Sequence, residues 1–124
     1  MNDKRPVNLD LTTIKFPVTA IASIAHRVSG VVLFLALPIL LWMLDRSLAS
    51  EQTFTDLTQL LAAPLAKLVV WGILAAVIYH LVAGTRHLIM DLGIGESLKG
   101  GRLGATLVWV ISIVLILLAG VWIW

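Results

Sequence analysis

Ser23, His26, Arg27 and Ser29 fall within the stretch SIAHRVSG, residues 23–30, at the head of a long apolar run. On an α-helix, residues three and four apart lie about 60° and 40° from one another, so Ser23, His26, Arg27 and Gly30 share one face. A hydroxyl, an imidazole and a guanidinium on a single stripe can donate hydrogen bonds to a carbonyl oxygen or a carboxylate. An arginine beside hydrocarbon is costly unless it is paired, reaches back to the head groups, or faces a polar site. Two readings follow: either Arg27 snorkels to lipid phosphates while His26 caps a loop carbonyl, or the stripe serves a polar guest.

A second polar cluster lies in YHLVAGTRHLIMD, residues 79–91. His80 and His87, seven apart, differ by about 20° around a helix and by ~10.5 Å along it. A compact metal ion cannot use both, because Zn–N bonds are only ~2.1 Å long. A large flat ligand can. His80 falls about 10–15 Å in from the helix end, near the bilayer centre, and Gly84, one turn nearer that end, offers no side chain to obstruct a macrocycle. A haem iron on His80 would direct its propionates toward Arg27, His26, His87 or Arg86. The competing reading of His80 is an imidazole hydrogen-bonded to a neighbouring helix. In the haem reading, the only other ligand within the chain is His26, which sits several ångströms too shallow by helix rise. A second axial ligand from another polypeptide is expected. Asp91 is expected to pair with Arg86 or a loop amide, and Tyr79, facing elsewhere, is given no role.

The elements that must position these groups are membrane helices. The chain has 124 residues, room for one domain, and an apolar content of 60% with a mean hydropathy of +1.01. Soluble domains run at ~45–50% apolar, so the chain reads as an all-α integral membrane protein. There is no cysteine, which excludes disulfides, thiolate nucleophiles and cysteine-ligated clusters within this chain. The net charge of +2 is small and dispersed, so no nucleic-acid partner is expected, only membrane lipids and protein. The N-terminal MNDKRPVNLDLTTIKF, part of an extramembrane segment 1–18, does not read as a signal peptide.

Three runs approach or exceed the ~20 residues a span requires: about 19–48, 64–90 and 104–124. Pro38 falls inside the first and is expected to kink it. The segment TFTDLTQLL puts Phe54, Leu57, Leu60 and Leu61 on one face, as in a short interfacial helix. The glycine-rich LGIGESLKGGRLG reads as the loop before the third span. Ser112 and Gly120 in that span read as packing positions. Lys4, Arg5 and Lys15 precede the first span, and Arg86, Lys99 and Arg102 flank the loop after the second. The positive-inside rule therefore places the N-terminus in the cytoplasm and the C-terminus in the periplasm. Trp42, Trp71, Trp122 and Trp124 then fall near the outer interface, where indoles are favoured.

With both clusters in place, RPVNLDL at 5–11, SIAHRVSG at 23–30 and HLVAGTRHLIMDLG at 80–93 resemble the paired signatures of the cytochrome b subunit of bacterial succinate dehydrogenase, respiratory complex II. The likeness implies a multi-pass anchor in the bacterial inner membrane. It implies that His80 is the axial ligand of haem b, with the other histidine supplied by a second small membrane anchor subunit. Ser23 and Arg27 match positions lining a ubiquinone site beside the iron–sulfur subunit. His26, Arg27 and His87 match residues near the haem propionates. FAD and the iron–sulfur clusters would belong to the flavoprotein and iron–sulfur partners, and no complete active site to this chain alone. Two rival classes stand beside this one: a proton or ion relay using His80, His87 and Arg27, and a bare anchor for a peripheral dehydrogenase.

Overall fold

A computed structural model describes residue 12 and residues 15–124. The basic tail with Lys4 and Arg5, and the RPVNLDL stretch, lie outside the described residues. These form helices alone: α1 (Val18–Ala49), α2 (Glu51–Leu61), α3 (Pro64–Asp91) and α4 (Leu98–Ile123). α1, α3 and α4, of 32, 28 and 26 residues, are long and apolar enough to cross a membrane. At 1.5 Å per residue they run to about 48, 42 and 39 Å, beyond the ~30 Å of hydrocarbon, so their ends reach the polar layers or they tilt.

The punctuation between the helices is local chemistry. Ser50, in extended conformation, accepts from the Thr53 amide while the Thr53 hydroxyl accepts from the Ser50 amide, a reciprocal cap that starts α2 directly behind α1. Pro64 stands at the first position of α3, where no amide is missed. At the other end of α3, Gly93 at φ 82° donates to the Met90 carbonyl and the Ile94 amide reaches that of Ile89. That is the Schellman arrangement, which needs a residue tolerant of positive φ.

The last helix begins at Leu98 rather than at residue 104, so KGGRLG is helical and not loop. Ser97 accepts from the Gly100 amide and sets the start. The glycines there are close-approach positions. Gly101 is buried, and a Cβ on Gly104 would meet Arg86 Nε at 3.0 Å. Pro38 lies inside a continuous α1 and removes the amide that would bond the Phe34 carbonyl.

Membrane helices gain little from burying apolar surface against one another, so they associate through close backbone approach. The buried positions fit that rule: Ala22, Ser29 and Ala36 on α1, seven apart; Tyr79 and Ala83 on α3; Gly101, Ala105, Val108 and Ser112 on α4, four and three apart. Seven-residue and four–three spacings keep one seam facing its neighbour along the whole helix. α3 packs antiparallel against both α1 and α4, and α1 also touches α4, giving a three-helix bundle. The large apolar side chains point outward, Phe34, Leu48, Val121 and Trp122 among them. Trp71 meets Trp124 edge-on at 6.0 Å and donates 2.8 Å to the Ile116 carbonyl, and Trp42 with Leu57 and Leu60 lines a hollow against α2.

A close α3–α4 approach yields a test. A Cβ on Gly120 would stand 3.2 Å from the Trp71 ring, whereas one on Gly72 meets nothing within 4 Å. Gly120→Val is expected to cost about 1–3 kcal/mol through overpacking and to lower the melting temperature of the detergent-solubilised protein. Gly72→Ala, relieved of glycine's helix penalty of about 1 kcal/mol, is expected to leave it unchanged or raised.

Candidate functional site

The two polar clusters meet where α1 crosses α3. The imidazoles of His26 and His80 stack with centroids 4.1 Å apart and planes 12° from parallel, and His87 lies 5.1 Å from His26, tilted by 57°. The row thus runs His80, His26, His87. His80 and His87 reach it from the same face of α3, as their spacing requires, and His26 enters between them from α1.

Small residues make that entry possible. A Cβ on Gly30 would lie 3.3 Å from His80 Cε1, so the His80 ring rests against the α1 backbone itself. A Cβ on Gly84 would lie 3.5 Å from His26 Nε2, so that ring occupies the space above Gly84. His26 therefore stands nearer the α3 C-terminal end than His80, the order that helix rise gives, yet close enough to stack on it. Rise fixes heights within one helix, but the slip of α1 against α3 is set by their packing.

Ser29 completes the cluster and was absent from the face deduced from spacing. It is 6% exposed, its hydroxyl donates 2.7 Å to the His26 carbonyl, and its Oγ lies 3.0 Å from His80 Nδ1. The His26 carbonyl itself is 3.2 Å from the same nitrogen. His80 Nε2 has no hydrogen-bond partner among the described residues, and His26 Nε2 is fully buried without one. The available signal for Ser29 was the heptad Ala22, Ser29, Ala36, a small-residue seam that marks the inward face of α1 more faithfully than the polar stripe.

The stripe itself divides. His26 and Gly30 turn toward α3, whereas Arg27 is exposed and makes no hydrogen bond or ion pair among the described residues. Ser23 is half-buried and likewise unbonded among the described residues. Arg86 leaves the histidines altogether: its Nη2 donates 3.1 Å to the Gly101 carbonyl on α4. It does not pair with Asp91, since residues five apart stand about 140° around a helix. Tyr79, given no role from sequence, is buried, packs on Trp109 at 4.9 Å and donates 2.7 Å to the Ala22 carbonyl next to Ser23.

Among the described residues no three His, Asp or Glu side chains converge as a metal-ion site. A hollow of about 420 Å³ between α3 and α4 is walled by apolar side chains with Arg86 and contains none of the histidines. The three histidines are therefore gathered at the α1–α3 crossing, away from that hollow.

Residues 1–119 match the family described as the succinate dehydrogenase/fumarate reductase transmembrane subunit. The chain is 54% identical over 125 residues to the succinate dehydrogenase cytochrome b556 subunit of Coxiella burnetii, covering the whole of both. It is 34% identical to the protein of that name from Rickettsia felis, over 94% of this chain and 90% of the other. With that of Paracoccus denitrificans it shares 30%, over 77% of this chain and 73% of the other.

Tyr79→Phe removes one buried hydrogen bond between α1 and α3 without emptying volume. The expected loss is about 1 kcal/mol, read as a lower midpoint of thermal unfolding with the helix content unchanged.

Proposed function

Because the chain belongs to the succinate dehydrogenase/fumarate reductase transmembrane-subunit family, we propose that it helps to hold haem b and to form a ubiquinone-reduction site. It is a membrane anchor cytochrome b subunit of that family and a multi-pass protein of the bacterial inner membrane. Its N-terminus is cytoplasmic and its C-terminus periplasmic in this reading, which the basic residues around the α3–α4 loop and the tryptophans at the opposite end support.

The observation that carries the haem reading is the state of His80. Nδ1 is engaged by Ser29 and the His26 carbonyl, and Nε2 has no partner among the described residues. An iron-ligating histidine has this form, one nitrogen tied to a carbonyl or hydroxyl and the other presented to the metal. The buried, unpartnered His26 Nε2 beside it needs a polar group of its own, and a propionate supplies one. His87, next in the row, is assigned to the same carboxylates, and Arg27 gives them a cation at the bundle's edge. Haem, when bound, supplies a one-electron centre between the helices. The second axial ligand comes from a second small membrane anchor subunit.

For the quinone, Ser23 and Arg27 act as donors. Reducing a quinone takes two electrons and two protons, and negative charge develops on its carbonyl oxygens as electrons arrive from the iron–sulfur subunit. A fixed guanidinium and a hydroxyl beside one oxygen orient the ring and stabilise that charge. Neither side chain has a partner among the described residues, which leaves both free to take a guest. The flavoprotein and iron–sulfur partners carry FAD, the clusters and the dicarboxylate chemistry.

The row of imidazoles at 4.1 and 5.1 Å also suits a proton relay, and a difference spectrum separates the two readings. Reduced-minus-oxidised absorbance of the purified complex is expected to show b-type bands that His80→Ala abolishes. A colourless wild-type complex with a neutral His80→Ala would leave the relay. Arg27→Ala is expected to lower quinone reduction about 10–100-fold, as loss of a charged hydrogen bond does, and Ser23→Ala about tenfold. Succinate oxidation by artificial acceptors should persist in both, and unchanged quinone rates would remove these residues from the site.

A further inference from the structure

We infer that Ser29 is a positioning residue that fixes the tautomer and orientation of the His80 imidazole as an iron ligand; the inference rests on the haem reading above. The hydrogen bonds around Nδ1 close in only one consistent way. The Ser29 hydroxyl spends its proton on the His26 carbonyl at 2.7 Å, so its oxygen faces His80 Nδ1, 3.0 Å away, as an acceptor. The other neighbour of Nδ1, the His26 carbonyl at 3.2 Å, can only accept. A lone pair on Nδ1 would confront that carbonyl lone pair, whereas a proton there satisfies both neighbours. The proton therefore resides on Nδ1 and the lone pair on Nε2, the atom without a partner among the described residues.

Ser29 is suited to this by size as well as chemistry. It belongs to the small-residue seam, 6% exposed, and a larger side chain would part α1 from α3. Its neighbour Gly30 lets the ring edge lie against the helix backbone, where a Cβ would stand 3.3 Å from Cε1. At this depth little water is present to replace a missing acceptor. A hydrogen bond accepted from the distal ring nitrogen raises the basicity of the ligating one, which favours ferric over ferrous iron.

The test uses the intact complex, compared as wild type, Ser29→Ala, Ser29→Cys and Ser29→Thr. Haem midpoint potential is read by redox titration, the ferric spectrum by electron paramagnetic resonance, and haem release by capture with excess apomyoglobin. Ser29→Ala leaves Nδ1 only its longer contact, so the potential is expected to rise, the ferric g-values to move, and haem to leave about tenfold faster. Ser29→Cys, close in volume but a weaker acceptor, should shift the same way even if the alanine protein fails to assemble. Ser29→Thr keeps the hydroxyl and should return all three readings toward wild type. Wild-type potential and g-values in Ser29→Ala or Ser29→Cys would overturn the inference, as would a threonine variant displaced as far as alanine. If instead His80→Ala retains the wild-type b-type bands, it is the haem reading that has failed.

Discussion

α1 and α3 meet on serine, glycine and alanine, and that close approach is what allows polar groups to persist at a depth where water is scarce. Gly30 admits the His80 ring to the α1 backbone, and Gly84 leaves room for His26. Ser29 supplies an oxygen at the point of contact. With large side chains at these positions, the imidazoles would lie too far from α1 for their nitrogens to find partners. Each unsatisfied polar atom in hydrocarbon costs several kcal/mol, so the seam and the site are one constraint and not two.

The same seam explains how much of the molecule was legible beforehand. The apolar runs and their punctuation disclose the three long helices, because the length of a span is dictated by the bilayer. His80 and His87 reach one face as 3.6-residue periodicity demands. What periodicity cannot supply is the slip and rotation of one helix against another. For that reason the stacking of His26 on His80 was not foreseen, and Arg86 was left among the acids and propionates when it turns to Gly101 on α4. Ser29 was passed over for a similar reason: polar residues draw the eye to a polar stripe, whereas the packed face is announced by small residues seven apart. The glycine-rich run before α4 looked like loop on composition, but Gly101 is buried in the bundle and Gly104 has Arg86 at its surface, uses of glycine that only a third dimension reveals.

The chain is a partial machine by construction. Its histidine row is internal and closely built, but Arg27 and Ser23 end without partners among the described residues, and the flanks are walls of leucine, isoleucine and valine. A cation at the edge of hydrocarbon needs a counterpart, and in the proposed function that counterpart is shared between quinone, propionate and neighbouring subunits. Assembly therefore contributes to the stability of these side chains as much as to their chemistry.

The hydrogen bonds at the two ends of the α3–α4 pair have a mechanical meaning. Arg86 grips the carbonyl of Gly101, and Trp71 grips that of Ile116, at points about 22 Å apart along α4 by helix rise. A rod fastened at two separated points can neither slide nor roll against its mate, so α3 and α4 form a splint. The cross-links from α3 to α1, by contrast, gather within two turns around Ala22, His26 and Ser29. The Ala49 half of α1, on the far side of Pro38, makes no side-chain hydrogen bond to α3 among the described residues and is held by packing alone, while the imidazoles sit at the knot itself.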